Sequence, residues 1–401
     1  MKESRIAILD GFRALAILSV LFYHFFTRWT PPHFPVSRYP YGNSYDFFGL
    51  GILGVQFFFI ISGFVIFYSL EHTKSIASFW KKRMIRLMPA MVVASLLTFC
   101  LVWLFDTNAI FPGSQKLINL FVSFSFISPA LLNKLAGTSE FFYLSGSYWS
   151  LWPEIQFYAL ASSLYFFDKK NFARNFIYAA GFLLGLHLFL VNLSGSNLLR
   201  IQANPAMLEV YLQWVKILNL PVYLPYFFTG VLFYILYRNH LQNKKQSGLN
   251  LAALVALISY LLISATGAGS KIAHALMFSL FLGFVYFPST LRFFETKRLV
   301  QVGVSSYFLY LIHEVVGVMV INTAGKYFMP LGFILPLLLM VVLAAVSIIF
   351  TQKIDIPVNR YLKNRLTRKI PVLHLRKKPA KSARGHVRFF RNRKKNEMVE
   401  R

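Results

Sequence analysis

The sequence predicts an all-α integral membrane protein, a polytopic bundle of about ten transmembrane helices with both termini in the cytoplasm. Three observations carry this. Hydrophobic residues make up 56% of the 401-residue chain and aromatic residues 17%, more than a soluble domain usually holds. The apolar residues gather in ten stretches, each long enough to cross a hydrocarbon core of ~30 Å at ~1.5 Å per residue. Lysine and arginine crowd the connections that would lie on one side of the membrane.

The stretches are roughly 6–27, 50–70, 84–105, 148–167, 173–192, 221–238, 249–265, 271–288, 299–322 and 332–353. The segment Leu117–Leu132 is apolar but broken by Ser and Pro, and is expected to be interfacial or re-entrant. With the N-terminus inside, 33 of the 42 Lys and Arg residues fall on the inner side and 8 on the outer, which sets the orientation. Residues 1–353 then form one transmembrane domain, and 354–401 a basic cytoplasmic tail. The tail is too polar for a core and is expected to be a solvated arm on anionic lipid headgroups. A net charge of +28 would suggest nucleic acid for a soluble protein. Here the charges lie between apolar runs and in the tail, so no nucleic-acid partner is expected. The single cysteine, Cys100, excludes an internal disulfide and is expected to be a small buried residue within the third span. The first apolar run has no small-residue cleavage site and is expected to be retained.

Taken in order, several spans carry polar groups that a passive anchor would avoid. The first holds Asp10, Arg13 and His24. Arg13 and His24 are about three turns apart on one face, and Asp10 is one turn before Arg13, where it can pair with it. Each ionisable group at that depth costs a few kcal/mol (~3) unless it is paired or faces a wet cavity. The second span contains Ser62 and Gly63, which suit close helix packing. At the start of the third, Arg83 and Arg86 share a face beside an apolar wall and could clamp phosphate groups. The fourth reads Tyr148-Trp-Ser-Leu-Trp-Pro-Glu154. Pro153 fits a first helical turn, so Glu154 is expected at the outer boundary, at the depth of His24, where it could orient that base. In the ninth, Ser306, Tyr310 and His313 recur on one side at i, i+4 and i+7. No metal-ligand spacing, phosphate loop or Gly-x-Ser-x-Gly elbow is present.

Together these stretches resemble the family-3 membrane acyltransferases, bacterial O-acyltransferases of cell-surface glycans. The resemblance runs from Leu9 to about Pro357. It rests on Leu9-Asp-Gly-Phe-Arg13 with His24 after ten intervening residues, and on Phe58-Phe-Ile-Ile-Ser62-Gly-Phe64. Phe79 through Pro89, Trp149-Ser150-Leu with Glu154-x-Gln-Phe-Tyr158, and Ser306-Tyr307 with Tyr310-Leu-x-His313 complete it. It implies a protein of the bacterial cytoplasmic (inner) membrane, with acetyl-CoA or another acyl-CoA as co-substrate and no permanently bound cofactor. The acceptor would be a glycan or lipid-linked sugar hydroxyl on the outer side. Arg13 and His24 would be the essential pair, Arg83 and Arg86 would join Arg13 on the donor phosphates, and Glu154 and His313 would line the site. Asp10, Ser62, Trp149, Ser150, Ser306, Tyr307 and Tyr310 would support it. In the expected mechanism His24 is the general base on the acceptor hydroxyl, with direct transfer and a transient acyl-serine on Ser62, Ser150 or Ser306 both open.

Two departures stand out: Ile155 replaces a second acidic residue usual after the position of Glu154, and Asp355-Ile-Pro357 stands where the family tends to show Glu-x-Pro. Some members carry a fused extracytoplasmic esterase-like domain, and none is expected from this sequence. A homo-oligomer is left open. The alternative is a membrane transporter of a lipid-linked sugar or organic anion, against which stands the lack of paired inverted repeats.

Overall fold

The computed structural model describes residues 7–28, 46–106, 110–195, 205–328 and 333–367. Among them there is no strand, and fourteen α-helices follow in chain order. These are α1 (Ala7–Tyr23), α2 (Leu53–Glu71), α3 (Ile76–Phe105), α4 (Leu117–Ser125), α5 (Pro129–Ala136), α6 (Leu151–Phe167) and α7 (Phe172–Gly195). Then come α8 (Pro205–Ile217), α9 (Leu220–Leu241), α10 (Gly248–Ser264), α11 (Gly267–Tyr286), α12 (Lys297–Phe328), α13 (Ile334–Phe350) and α14 (Ile356–Thr367).

Each of the ten expected stretches is a helix. Eight helical segments are long and apolar enough to cross a membrane by length and composition, while α6 and α10 have only 17 residues each. The protein is thus a multi-pass, all-α membrane protein. The segment expected to be re-entrant is the α4–α5 pair, bent by 111°. Local chemistry makes that bend. Phe126 ends α4 in the left-handed region at φ 58°, and Ser128 restarts the chain by accepting the Ala130 N–H, with Pro129 in the first turn. The short α8 was not foreseen, because Glu209 and Lys216 break its apolar run.

The bundle is layered by burial. About two-thirds or more of the apolar window of α1, α2, α9 and α12 is buried, against 22% for α7 and 33% for α11, so the first four form the inner ring. Two close backbone approaches hold that ring. Gly63 of α2 and Gly230 of α9 face one another, and a Cβ on Gly230 would lie 2.8 Å from the Ile60 carbonyl carbon. Gly303 of α12 lies against the Asp10 backbone of α1. Small residues at such crossings let helices gain van der Waals contact where lipid supplies no hydrophobic drive.

The helix ends sort into two sides. On one, Lys169 donates to the Lys74 carbonyl at 3.3 Å, and Glu71 accepts from Tyr234 and Arg238. Asp168 joins α6 to α7 there by accepting from the Lys170 and Asn171 backbone, and the Asn171 side chain leads in holding its carboxyl below the usual range. On the opposite side, Trp152 Nε1 donates to the Ile217 carbonyl at 2.8 Å, and Asp106 turns the chain after α3 by accepting from Ile110 and Phe111. The basic connections cluster at the first side.

One expectation is corrected. Cys100 is exposed, on the outward face of α3 with Leu96, Leu97 and Leu104. Ser95 and Thr98 share the buried face of that part of α3, and Cys100 falls on the opposite side. A π turn (Thr351–Asp355) joins α13 to α14 without a break in the helix, and α14 packs against α3. The basic clusters after Thr367, like Lys2, Arg5, Arg38 and Arg200, lie outside the described residues.

Candidate active site

The polar residues of the inner ring line a path along its axis. It starts at the basic side in a cavity of about 1230 Å³, bordered by Asp10, Arg13, Arg83, Arg86, Tyr307 and Asp355. A second cavity of about 750 Å³ continues from it, and Arg13, Arg83, Arg86 and Tyr307 border both. Arg13 is fixed by Asp10, which accepts from its Nη1 at 3.0 Å and is 1% exposed. Ser75 caps α3 by accepting the Ser78 N–H, which sets the first turns so that Arg83 and Arg86 face the cavity. The Arg83 guanidinium lies 5.3 Å from the Phe79 ring and 5.7 Å from that of Tyr158. Three guanidiniums around one cavity, that of Arg83 backed by aromatic rings, are a strong anion site, because the guanidinium fork can bind phosphate in bidentate fashion.

Beyond the arginines the second cavity becomes mixed. Glu154 Oε1 accepts from Ser62 Oγ at 2.7 Å and from the Tyr158 hydroxyl at 2.6 Å. Ser306, Ser150 and Tyr310 also line it, and the Tyr307 hydroxyl donates to the Leu87 carbonyl at 3.3 Å. The far wall is Tyr310, whose hydroxyl donates to the Ser147 carbonyl at 2.7 Å and stands 2.8 Å from Ser150 Oγ.

Behind Tyr310 is a compact group of imidazoles and a carboxylate. α1 closes in a π turn, His24–Arg28; such turns widen the helix locally and recur at functional sites. His24 and His313 meet edge to face with ring centroids 4.7 Å apart. His313 is fully buried, and its Nδ1 lies 2.7 Å from the Tyr310 carbonyl. A carbonyl only accepts, so Nδ1 carries the proton and Nε2 the lone pair. That Nε2 has no hydrogen-bond partner among the described residues. Glu314 presents Oε1 to His24 Nδ1 at 3.6 Å. Its Oε2 accepts from Ser145 Oγ at 2.9 Å and from the Ser147 backbone N–H. Gly146 lets that turn close on the carboxylate, since a Cβ there would lie 3.0 Å from Oε1.

The structure therefore gathers Arg13, Arg83, Arg86, Ser62, Glu154, Ser150, Ser306, Tyr307 and Tyr310 around connected cavities, and sets His24 and His313 side by side beyond them. Trp149 lies apart, packed on Tyr223 and Phe59 with centroids 5.0 and 6.3 Å away. The carboxylate facing His24 is Glu314, where sequence reasoning expected Glu154. The reason is depth. Leu144, Ser145, Ser147 and Tyr148 are already buried before α6 begins, so α6 starts inside the bundle and carries Glu154 down to the arginines. Glu314, Ser145, Ser147 and Tyr158 were missed as site residues. Glu314 had a readable signal, because it lies four residues after Tyr310 and so shares its face of α12. No group of three or more His, Cys, Asp or Glu side chains suited to a metal ion occurs among the described residues.

Known proteins give a matching picture. The family profile described as an acyltransferase domain, acyltransferase family 3, matches residues 6–352. A Staphylococcus aureus (strain MRSA252) protein named "Putative O-acetyltransferase" is 27% identical over 217 residues, 47% of this chain and 30% of that protein. O-acetyltransferase OatA of Staphylococcus aureus (strain COL) is 31% identical over 103 residues, 24% of this chain and 14% of that protein. The chain thus spans less than a third of the length of these curated relatives. No solved structure gives a significant match. Because the profile covers the described helices from α1 to α13, the chain belongs to acyltransferase family 3.

Proposed function

We propose that this protein is a membrane O-acyltransferase, in the first instance an O-acetyltransferase. It would move an acyl group from cytoplasmic acyl-CoA to a hydroxyl of an extracytoplasmic or lipid-linked glycan, in the bacterial cytoplasmic membrane. One observation carries the reading. Connected cavities inside an apolar bundle have three arginines at their basic end, and a His24–Glu314–His313 group stands beyond the Tyr310–Ser150 contact that walls the other. Lysine and arginine distribution favours a cytoplasmic basic end. The cationic end suits the donor's phosphates, and the imidazole end suits a neutral hydroxyl arriving from the other side.

In this mechanism Arg13, Arg83 and Arg86 bind the donor phosphates. Ser62, Glu154 and Tyr158 offer hydrogen bonds to the amide-bearing arm that follows. The acceptor hydroxyl gives its proton to His24, and Glu314 stabilises the imidazolium that results. His313 Nε2, whose lone pair has no partner among the described residues, accepts a hydrogen bond from the sugar and orients it. The hydroxyl oxygen forms its bond to the acyl carbon, the carbon–sulfur bond breaks, and His24 returns the proton to the departing sulfur. Direct transfer is the step proposed, and an acyl-serine on Ser150 or Ser306 is the alternative that protein-bound label would reveal. Ser62 is hydrogen-bonded to a carboxylate, and neither imidazole lines its cavity.

The test uses purified protein in detergent with radiolabelled acetyl-CoA, following donor binding, free thiol and label over time. The parent protein is expected to bind the donor and release thiol. His24→Ala should lose release by about 10²- to 10⁴-fold. A parent that neither binds acetyl-CoA nor releases thiol overturns the proposal.

A further inference from the structure

The mechanism above leaves one feature of the first cavity unused. Thr351, Asp355 and Asn359 recur at i, i+4 and i+8 on the π turn and α14, and all three line the cavity that also holds the arginines. Asp355 Oδ1 and Asn359 Oδ1 are both shut off from solvent, and neither has a hydrogen-bond partner among the described residues. Asn359 and the positive charge of Arg86 both lie close enough to act on the Asp355 carboxyl.

Buried acceptors without donors are costly, and native proteins keep them chiefly where a ligand or water completes them. Two such oxygens one helical turn apart suit a group with two hydrogens on one atom, a water or an amine, and of these only the amine belongs to the donor. A ribose hydroxyl has one hydrogen and would satisfy only one of them. An ammonium would be repelled by three nearby guanidiniums. A neutral exocyclic amine on a flat base meets both requirements, and an asparagine reading the amine edge of adenine is a familiar pairing. The π turn supplies the placement. Among the described residues there are two π turns, one beginning at His24 and the other ending at Asp355.

We propose that Asp355 and Asn359 form a subsite for the adenine base of the donor nucleotide, reading its exocyclic amine while Arg13, Arg83 and Arg86 hold the phosphates. This rests on the reading of the donor as an acyl-CoA. The subsite makes the first cavity selective for an adenine nucleotide, where arginines alone would accept any polyphosphate of similar size.

The experiment measures equilibrium binding of coenzyme A and of 1,N6-ethenocoenzyme A, in which the amine hydrogens are gone, to the full-length protein in detergent. Coenzyme A is expected to bind the parent more tightly by about 5- to 150-fold, the discrimination of one good bidentate contact. Asn359→Leu keeps the volume and removes the acceptor, so it should bring the two affinities together by weakening coenzyme A alone. Equal binding of both ligands by the parent overturns the subsite and leaves the acyl-CoA reading standing. Undiminished discrimination by Asn359→Leu also overturns it, since bulk would then explain the difference. Failure of the parent to bind either ligand would overturn the acyl-CoA reading itself, and the subsite with it.

Discussion

Glu314 shows how one charge is kept inside an apolar bundle. It is 3% exposed, and its oxygens are met by Ser145, the Ser147 N–H and His24. A carboxylate so satisfied can remain charged and stabilise a protonated neighbour, whereas an isolated one at that depth would be expelled or neutralised. Glu314→Gln preserves size and removes the charge. It is expected to slow acyl transfer by about 10²-fold or more, in line with loss of a base's supporting group. Donor affinity should stay near the parent value, because the arginines line cavities that Glu314 does not border. Rate and binding measured on the same preparation check this, and a variant with parental rate would remove Glu314 from the mechanism. Arg86 gives the opposite signature. Loss of a charge-assisted phosphate contact is worth about 1.5–3 kcal/mol, so Arg86→Ala should weaken donor binding by roughly 10- to 150-fold. Arg86→Lys should recover only part of it, since a point charge cannot reproduce the guanidinium fork. Arg86→Ala binding as tightly as the parent would take that residue out of the donor site.

Helix contacts decide whether these side chains meet at all. α2 carries Ser62 into the cavity because the next residue, Gly63, lets α9 come against its backbone at Gly230. Gly230→Val would force the pair apart and is expected to destabilise the protein by about 1–3 kcal/mol, the usual cost of overpacking. Gly181 of α7 has nothing within 4 Å of a built Cβ, so Gly181→Ala should leave stability unchanged or raise it slightly. Thermal unfolding in one detergent compares the two, and equal losses would show that the α2–α9 crossing is not special. The same helices show what sequence could supply. Long apolar runs announced α1, α2, α3, α9, α12 and α13, because span length is set by the bilayer. The depth of α6 was not announced. It depends on how far residues 137–150 descend before the helix begins, and that is fixed by contacts such as Ser114 Oγ to the Leu144 carbonyl across 30 residues.

For the bundle taken together, the arginine cluster was legible because Arg83 and Arg86 sit three apart on one helix and Arg13, with Asp10, puts charge into an otherwise apolar run. The grouping of His24, His313 and Glu314 joins α1 to α12 across almost 290 residues. No local pattern encodes that; only packing does. Orientation is the property on which the whole route depends, because the arginines serve cytoplasmic acyl-CoA only if their end faces the cytoplasm. The helix ends give a direct way to read it. Cys100 lies exposed on α3, so Cys100→Ala should cost little and leaves a thiol-free background. Lys170 and Lys244 are exposed at the basic end, while Glu140 and Thr266 are exposed at the opposite one. In sealed right-side-out vesicles, a membrane-impermeant maleimide should label Glu140→Cys and Thr266→Cys, and should reach Lys170→Cys and Lys244→Cys only after the vesicles are opened. The reverse pattern would invert the bundle. It would turn Arg13, Arg83 and Arg86 away from the cytoplasmic nucleotide pool and leave the His24–Glu314 group on the wrong side for an extracytoplasmic sugar.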